Sequence, residues 1–298
     1  MVQYVNILFK RGNSIVKKIV LFLFLSLSIF ADSKIAVAPY LGFASYDSNT
    51  SDKDTLIGMY SIMIEDTYSI EFSIESRTLT YTDTTKLKQI NLATSYKAKL
   101  KNNIKLNTLF HYISSNQDQS DGTIITLFGA EKKYKNNLEL GLQASASFYN
   151  LDSLAKKIFQ IKPTIEFDYG HKSSKWGALH PKISFYYIKP SAENVTTLEN
   201  SYFSTELELT HINSTFINKA SIWFGEQLYA VRDNGFTIYN LNELHTKGWS
   251  ISSRYKIDNN LGAKLSYTNE NYQTFSAATL GTKEEKMSRI LLVADFSF

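Results

Sequence analysis

The residues of this chain that could do chemistry are charged side chains at alternate positions. Glu166 and Asp168 stand in one such pair, Glu206 and Glu208 in another, and Lys97, Lys99 and Lys105 follow the same rhythm. Arg254, Lys256, Lys264 and Arg289 complete the set near the C-terminus. On an extended chain, residues two apart share a face. A carboxylate pair working as acid and base needs its members convergent at a rim, yet Glu206 and Glu208 fall in the middle of a run. A serine nucleophile needs a histidine beside it and a third group to orient that histidine. The one candidate run, HKSS at 171–174, falls in a short turn. His111 and His180 have no neighbours at metal-ligand spacing, and with no cysteine there is neither a thiolate metal site nor a disulfide framework. No catalytic residue, metal or cofactor is therefore expected. The net charge of +4 comes without the basic cluster that tracks nucleic acid, so no nucleic-acid partner is expected. What remains is electrostatic: charges of both signs facing a water-filled space set a field that sorts solutes.

The elements that carry these charges share one pattern. Residues 68–75, YSIEFSIE, put Tyr68, Ile70, Phe72 and Ile74 on one face and Ser69, Glu71, Ser73 and Glu75 on the other. Residues 89–100, 138–148 and 159–169 repeat the alternation, each over about ten to twelve residues, the length of a tilted strand that crosses a bilayer. No segment beyond residue 31 sustains a helical period. Strands are expected at 34–46, 55–64, 68–81, 87–100, 104–115, 123–134, 138–149, 158–170, 176–189, 202–212, 216–228, 248–257, 261–272 and 286–298. The expected fold is all-β: a transmembrane antiparallel up-and-down β-barrel of about fourteen strands, with twelve or sixteen as alternatives.

The connections alternate as well. KNN at 101–103, KNN at 135–137 and DNN at 258–260 read as tight turns, because Asn tolerates positive φ. Between them stand longer polar loops at 47–54, 115–122 and 190–201. The stretch 229–247, YAVRDNGFTIYNLNELHTK, is read as one long surface loop, with a gate folded into the barrel mouth as a second possibility. Pro163 and Pro181 fall inside adjacent strands, where each removes a ladder donor and marks a local break.

A basic segment, the apolar run IVLFLFLSLSIF at 19–30 and Ala31 read as a secretory signal peptide over 1–31, leaving 32–298 as the barrel. Aromatics gather near both strand ends. Tyr68, Tyr134, Tyr169, Trp176, Phe216, Tyr255 and Phe298 fall at the short-turn end, and Tyr112, Phe148, Tyr187, Phe203 and Tyr267 at the other. Two such girdles suit the two interfaces of a bilayer.

The chain ends RILLVADFSF, with Ile290, Leu292, Ala294, Phe296 and Phe298 on one face. This terminal strand, with the repeated hairpins behind it, resembles the Gram-negative outer-membrane β-barrel proteins, and among them monomeric porins of fourteen strands. The resemblance implies an outer-membrane location, outer-membrane lipid as neighbour, and recognition of Ile290, Leu292, Ala294, Phe296 and Phe298 by the barrel-assembly machinery. HKSS is similar to the His-x-Ser run of outer-membrane phospholipases but lacks the Asn and Gly that come after it there. With the apolar face outward, the acids at 166, 168, 206 and 208 are expected to face the bases of 97–105 and 254–289 across the lumen. The expected function is a passive, charge-lined channel for small hydrophilic solutes, not an enzyme. The alternatives are a non-conducting structural, adhesin or assembly barrel acting through its loops, then an outer-membrane hydrolase.

Overall fold

In the computed structural model of the chain, the structure describes residues 34–118, 120–135, 137–149, 157–171, 174, 176–191, 199–239, 241, 243–274 and 284–298. The signal segment 1–31 lies outside them.

Fourteen antiparallel strands close into one barrel. They are β1 Lys34–Asp47, β2 Ser51–Ile64, β3 Tyr68–Tyr81, β4 Lys86–Lys99 and β5 Ile104–Ser115. Next come β6 Thr123–Lys133, β7 Leu138–Phe148, β8 Lys157–Phe167, β9 Ala178–Pro190 and β10 Tyr202–Ile212. The last four are β11 Phe216–Leu228, β12 Glu243–Lys256, β13 Leu261–Thr274 and β14 Glu285–Ser297. A two-residue piece, Tyr169–Gly170, extends the β8 side beyond Asp168. The barrel closes through β1 and β14, with Val37 opposite Phe296 and Tyr40 opposite Val293. The last residue takes part: the Phe298 amide donates to the Ile35 carbonyl at 2.8 Å, and the Ile35 amide to the Phe298 carbonyl at 3.3 Å. Closure gives every strand two partners, the condition for backbone polar groups to sit in hydrocarbon.

The alternation seen in the sequence becomes two surfaces. Phe128, Leu142, Phe159, Phe185, Phe203, Phe224 and Leu292 lie exposed on the outer wall, while Ser95, Gln143, Thr164, Ser184 and Ser221 are buried inside. Aromatic rings pair across neighbouring strands near the rims, as in Phe216–Tyr255 at 5.2 Å and Tyr187–Phe203 at 4.9 Å. The short turns close as their sequences predict at Asn102, Asn103 and Asn137, which have φ near +60°. DNN closes differently: the Asp258 carboxylate accepts from the amides of Asn260 and Leu261. Both prolines interrupt the same seam. Between β8 and β9 the pairing lapses at Pro163 and resumes at Ile161–Tyr187, and it lapses again between Lys182–Glu166 and Leu179–Tyr169, where Pro181 stands. On their other sides both residues stay in register, Pro163 with Leu142 and Pro181 with Leu209.

One expectation is corrected. Residues 229–247 are not a surface loop: β12 begins at Glu243, and the chain before it turns inward as a small hairpin, Val231–Arg232 paired with Thr237–Ile238. Two irregularities at its base redirect the chain. The β11–β12 register shifts between Phe224 and Gln227, and the β12–β13 register between His245 and Lys247. Such bulges bend a strand and re-aim the residues beyond them. Gly225 makes the first possible, with φ +97° and space so tight that a Cβ would stand 2.5 Å from the Phe203 carbonyl oxygen. Beyond it Gln227, Leu228, Tyr229 and Ala230 are fully buried.

Candidate functional site

The inward hairpin divides the lumen, and two apolar patches of the inner wall seat it. On one side Val231, Phe236 and Ile238 pack on Ala93, Leu109, Ile113, Ile125 and Leu127 of β4, β5 and β6. On the other, Tyr229, Ala230 and Tyr239 pack with Ile158, Ile188, Tyr202 and Leu244. Polar contacts then fix its register. Gln160 on β8 both donates to the Val231 carbonyl at 2.7 Å and accepts from the Val231 amide at 3.0 Å. Gln143 on β7 donates to Asn234 at 2.7 Å, a ring nitrogen of His111 on β5 lies 3.0 Å from the Gly235 carbonyl, and Phe236 meets the Tyr60 ring edge-on at 5.6 Å.

A further anchor is ionic. Arg232 donates to Glu206 on β10 at 2.5 Å and to the Tyr239 hydroxyl at 2.6 Å, with its guanidinium 4.1 Å from the Trp223 ring centre. Tyr186 donates to the other Glu206 oxygen at 2.6 Å. Tyr239 in turn donates to Glu270 at 2.9 Å and stacks on His245 at 3.7 Å. At the tip, Asp233, Asn234 and Gly235 all have positive φ, which Asp, Asn and Gly tolerate best. Enclosure pushes the Asp233 carboxyl up, but the Lys219 ammonium and Arg232 guanidinium outweigh it and hold it below the usual carboxylate range.

Three cavities surround the hairpin. One of about 330 Å³ opens toward the short-turn rim, among Glu71, Lys97, Lys105, Glu131 and Asn234. A second of about 220 Å³ lies between the tip and β10–β14. A third of about 90 Å³ sits on the long-loop side, among Arg77, Gln89, His111, Phe236 and Glu270.

The charges expected to line the lumen do not form two opposed arcs. Most meet an opposite charge on a nearby strand: Lys97 with Glu71 at 2.5 Å, Lys105 with Glu139 at 2.9 Å, Glu208 with Lys219 at 2.6 Å, and Arg254 with Asp295. Arg289 lies 3.7 Å from Asp54, whose main partner is Arg77 at 2.7 Å. Lys99 reaches the Asp66 carbonyl at 3.3 Å at the short-turn rim, where Lys256 is exposed. Lys264 lines the 220 Å³ cavity. The physical reason is reach: inward side chains on adjacent or next-but-one strands are close enough to pair, and a pair in a narrow lumen is better than two facing unpaired charges.

Glu166, Asp168 and His180 form a separate group, with possible ligand atoms within 4.8 Å of one another. His180 lies 2.6 Å from Asp168, but Lys133 also binds Asp168 and Lys182 stands 3.7 Å from Glu166. Two ammonium groups beside the same carboxylates oppose a metal cation.

Sequence reasoning misses Arg232, Asp233, Gln160, Trp223 and Glu270. A signal is present. Leu109, Ile113, Ile125 and Leu127 put apolar side chains on the face opposite Phe110, Tyr112, Ile124 and Phe128, so the inner face is better covered by protein than by water.

No protein-family model matches the chain, nor does any curated protein. Solved structures do. The CymD monoaromatic hydrocarbon channel aligns over 89% of this chain and 88% of its own, with 8% identity and a TM-score of 0.54. A TodX deltaS2S3 mutant monoaromatic hydrocarbon channel aligns over 91% and 92%, with 8% identity and a TM-score of 0.51. A bacterial polysaccharide outer membrane secretin aligns over 89% and 98%, with 9% identity and a TM-score of 0.50. At such identities the likeness is one of fold, and the fold of this chain is that of the outer-membrane β-barrels.

Proposed function

We propose that this barrel is a passive channel of the Gram-negative outer membrane for small hydrophilic solutes, narrowed by its own inward hairpin. The observation that carries the reading is the hairpin itself, seated in the lumen by separable side-chain contacts and bordered by polar cavities on both sides. A barrel meant only as scaffold has no need of charged, hydroxyl-lined space around a plug. Two of the similar folds are described as monoaromatic hydrocarbon channels. The cavities here are lined by Lys, Arg, Glu and Ser, which favours a hydrophilic solute. Outer-membrane lipid around the aromatic girdles, and insertion through the assembly machinery by the terminal strand, belong to the same proposal.

The second reading is a non-conducting barrel, and the two apolar clusters that grip the hairpin favour it. Single-channel current separates them. The refolded barrel is compared in a planar bilayer with a variant in which residues 230–240 are replaced by a short Gly/Ser turn. Small steps in the intact chain that grow several-fold in the variant support a narrowed channel. Silence in the intact chain with large steps in the variant supports the plugged barrel.

A further inference from the structure

We propose that the lumen holds a binding site for small anions of carboxylate or phosphate chemistry, in the cavity that Asp233 shares with Lys219 and Lys264, and that Asp233 is a tethered competitor for that seat. The inference deepens the channel reading and rests on it only for how the anion arrives.

The cavity of about 220 Å³ exceeds the volume share of a single water, about 30 Å³, several-fold. Four cations line it, Lys219, Arg232, Lys264 and Arg289, against three carboxylates, Glu206, Asp233 and Glu270; Lys219 is paired with Glu208, Arg232 with Glu206, and Arg289 lies 3.7 Å from Asp54. Two of those carboxylates are engaged: Glu206 by Arg232 and Tyr186, Glu270 by Tyr239 and by His245 at 3.0 Å. Asp233 is not. Its side chain accepts from the Thr237 hydroxyl at 2.8 Å, and among the described residues no cation comes within 4.0 Å of it. Lys264 likewise makes no ion pair among the described residues. A carboxylate and an ammonium thus border the same cavity without touching. Ser252, Ser266 and Thr268 add hydroxyls to that space.

The asymmetry between the two groups decides what the seat accepts. Lys264 stands on β13, held by pairing on both sides, with Arg254 and Val293 as its register partners. Asp233 stands between Arg232 and Asn234, which Glu206 and Gln143 hold to the wall, but its own carboxylate is tied by the Thr237 hydroxyl alone among the described residues, so the side chain can turn while the backbone stays. An arriving anion meets fixed ammonium groups and a carboxylate able to withdraw. An arriving cation meets fixed ammonium groups and gains nothing from them. The like charge of Asp233 and the anion makes their occupancy mutually exclusive, so a bound anion turns the Asp233 side chain away.

Trp223 reports on this site. It is almost fully buried, lines the cavity and carries Arg232 over its ring, whereas Trp176 and Trp249 are exposed outside the lumen. The test is a titration of the folded full-length barrel in detergent with inorganic phosphate and, separately, with succinate, at constant ionic strength, read by tryptophan fluorescence. Saturable binding of either is expected, and which of the two binds tighter identifies the headgroup. D233N keeps a residue that tolerates positive φ and should bind about tenfold tighter. K264M should bind about tenfold weaker, and in D233N/K264M most of the gain from D233N should vanish. No saturable signal in the intact chain or in D233N overturns the site. An equal gain from D233N with and without Lys264 overturns the competition and leaves a diffuse field. Bilayer currents keep the two readings apart: conduction without binding sinks this inference alone, and binding without conduction sinks the channel alone.

Discussion

Arg232 and Glu206 meet at 2.5 Å inside the barrel, with less than an eighth of either side chain exposed. One comes from the inward hairpin and the other from β10, so a single contact joins the plug to the wall. Removing one partner of a buried pair leaves the other charge uncompensated, at a cost of about 3–5 kcal/mol. The strand ladder does not depend on this contact, so the loss falls on hairpin docking.

Arg232→Met is therefore expected to leave a closed barrel with a loosened plug. Amide exchange at Val231 and Phe236 should accelerate by about a hundredfold or more, since about 1.4 kcal/mol corresponds to a factor of ten. Single-channel steps should become larger and noisier. Adding Glu206→Gln should restore part of the protection, because Tyr186 can still donate to the amide oxygen and no orphan charge remains. Unchanged exchange in Arg232→Met would show that the apolar clusters alone hold the hairpin.

The barrel was legible in the sequence because its determinants are local. Alternation along each strand, Asn-rich turns and the aromatic C-terminus all act within a dozen residues, and each strand's partner is the next in the chain. The β2 limit moved to Ser51 because its first residues, SDKD, are polar on both faces, and the β12 limit to Glu243 because the register shift between His245 and Lys247 breaks its alternation. The site was legible only in part. Lys97, Lys105, Glu206 and Glu208 face inward as the period requires, but their partners Glu71, Glu139, Arg232 and Lys219 depend on stagger between strands and on one inward turn. The hairpin's position rests on matches between distant segments, such as Gln160 with Val231, which no local pattern encodes.

Gly235 offers a second, independent handle on the plug. It has φ +93°, and a Cβ there would stand 2.6 Å from the Leu109 Cδ2 and 2.8 Å from its Cδ1. Leu109 is almost fully buried against Ala93, Ile113, Ile125 and Leu127, so it has little room to retreat. Gly235→Ala should weaken docking by roughly 1–3 kcal/mol through clash and backbone strain together. Leu109→Ala in the same chain removes the clash and not the strain. Partial recovery of hairpin exchange protection in the double variant is the expected result. Full recovery would mean the left-handed backbone costs nothing at this tip, and none would mean the clash is not the cause.

Phe298 gives a way to test barrel closure apart from the proposed insertion signal. Its backbone makes both terminal hydrogen bonds with Ile35, while its ring lies four-fifths exposed on the outer wall. Phe298→Ala keeps the backbone bonds and removes only the ring. Refolding into detergent, where closure is the sole requirement, should therefore be close to that of the intact chain, with a melting temperature within a few degrees. Insertion into membranes that contain the assembly machinery should fall several-fold if, as proposed, the exposed ring with Phe296, Leu292 and Ile290 is the surface that machinery recognises. Measuring the folded fraction by heat-modifiable gel mobility in both settings checks the difference. An equal loss in both would assign the ring to barrel stability, and no loss in either would remove the terminal aromatic from the insertion signal.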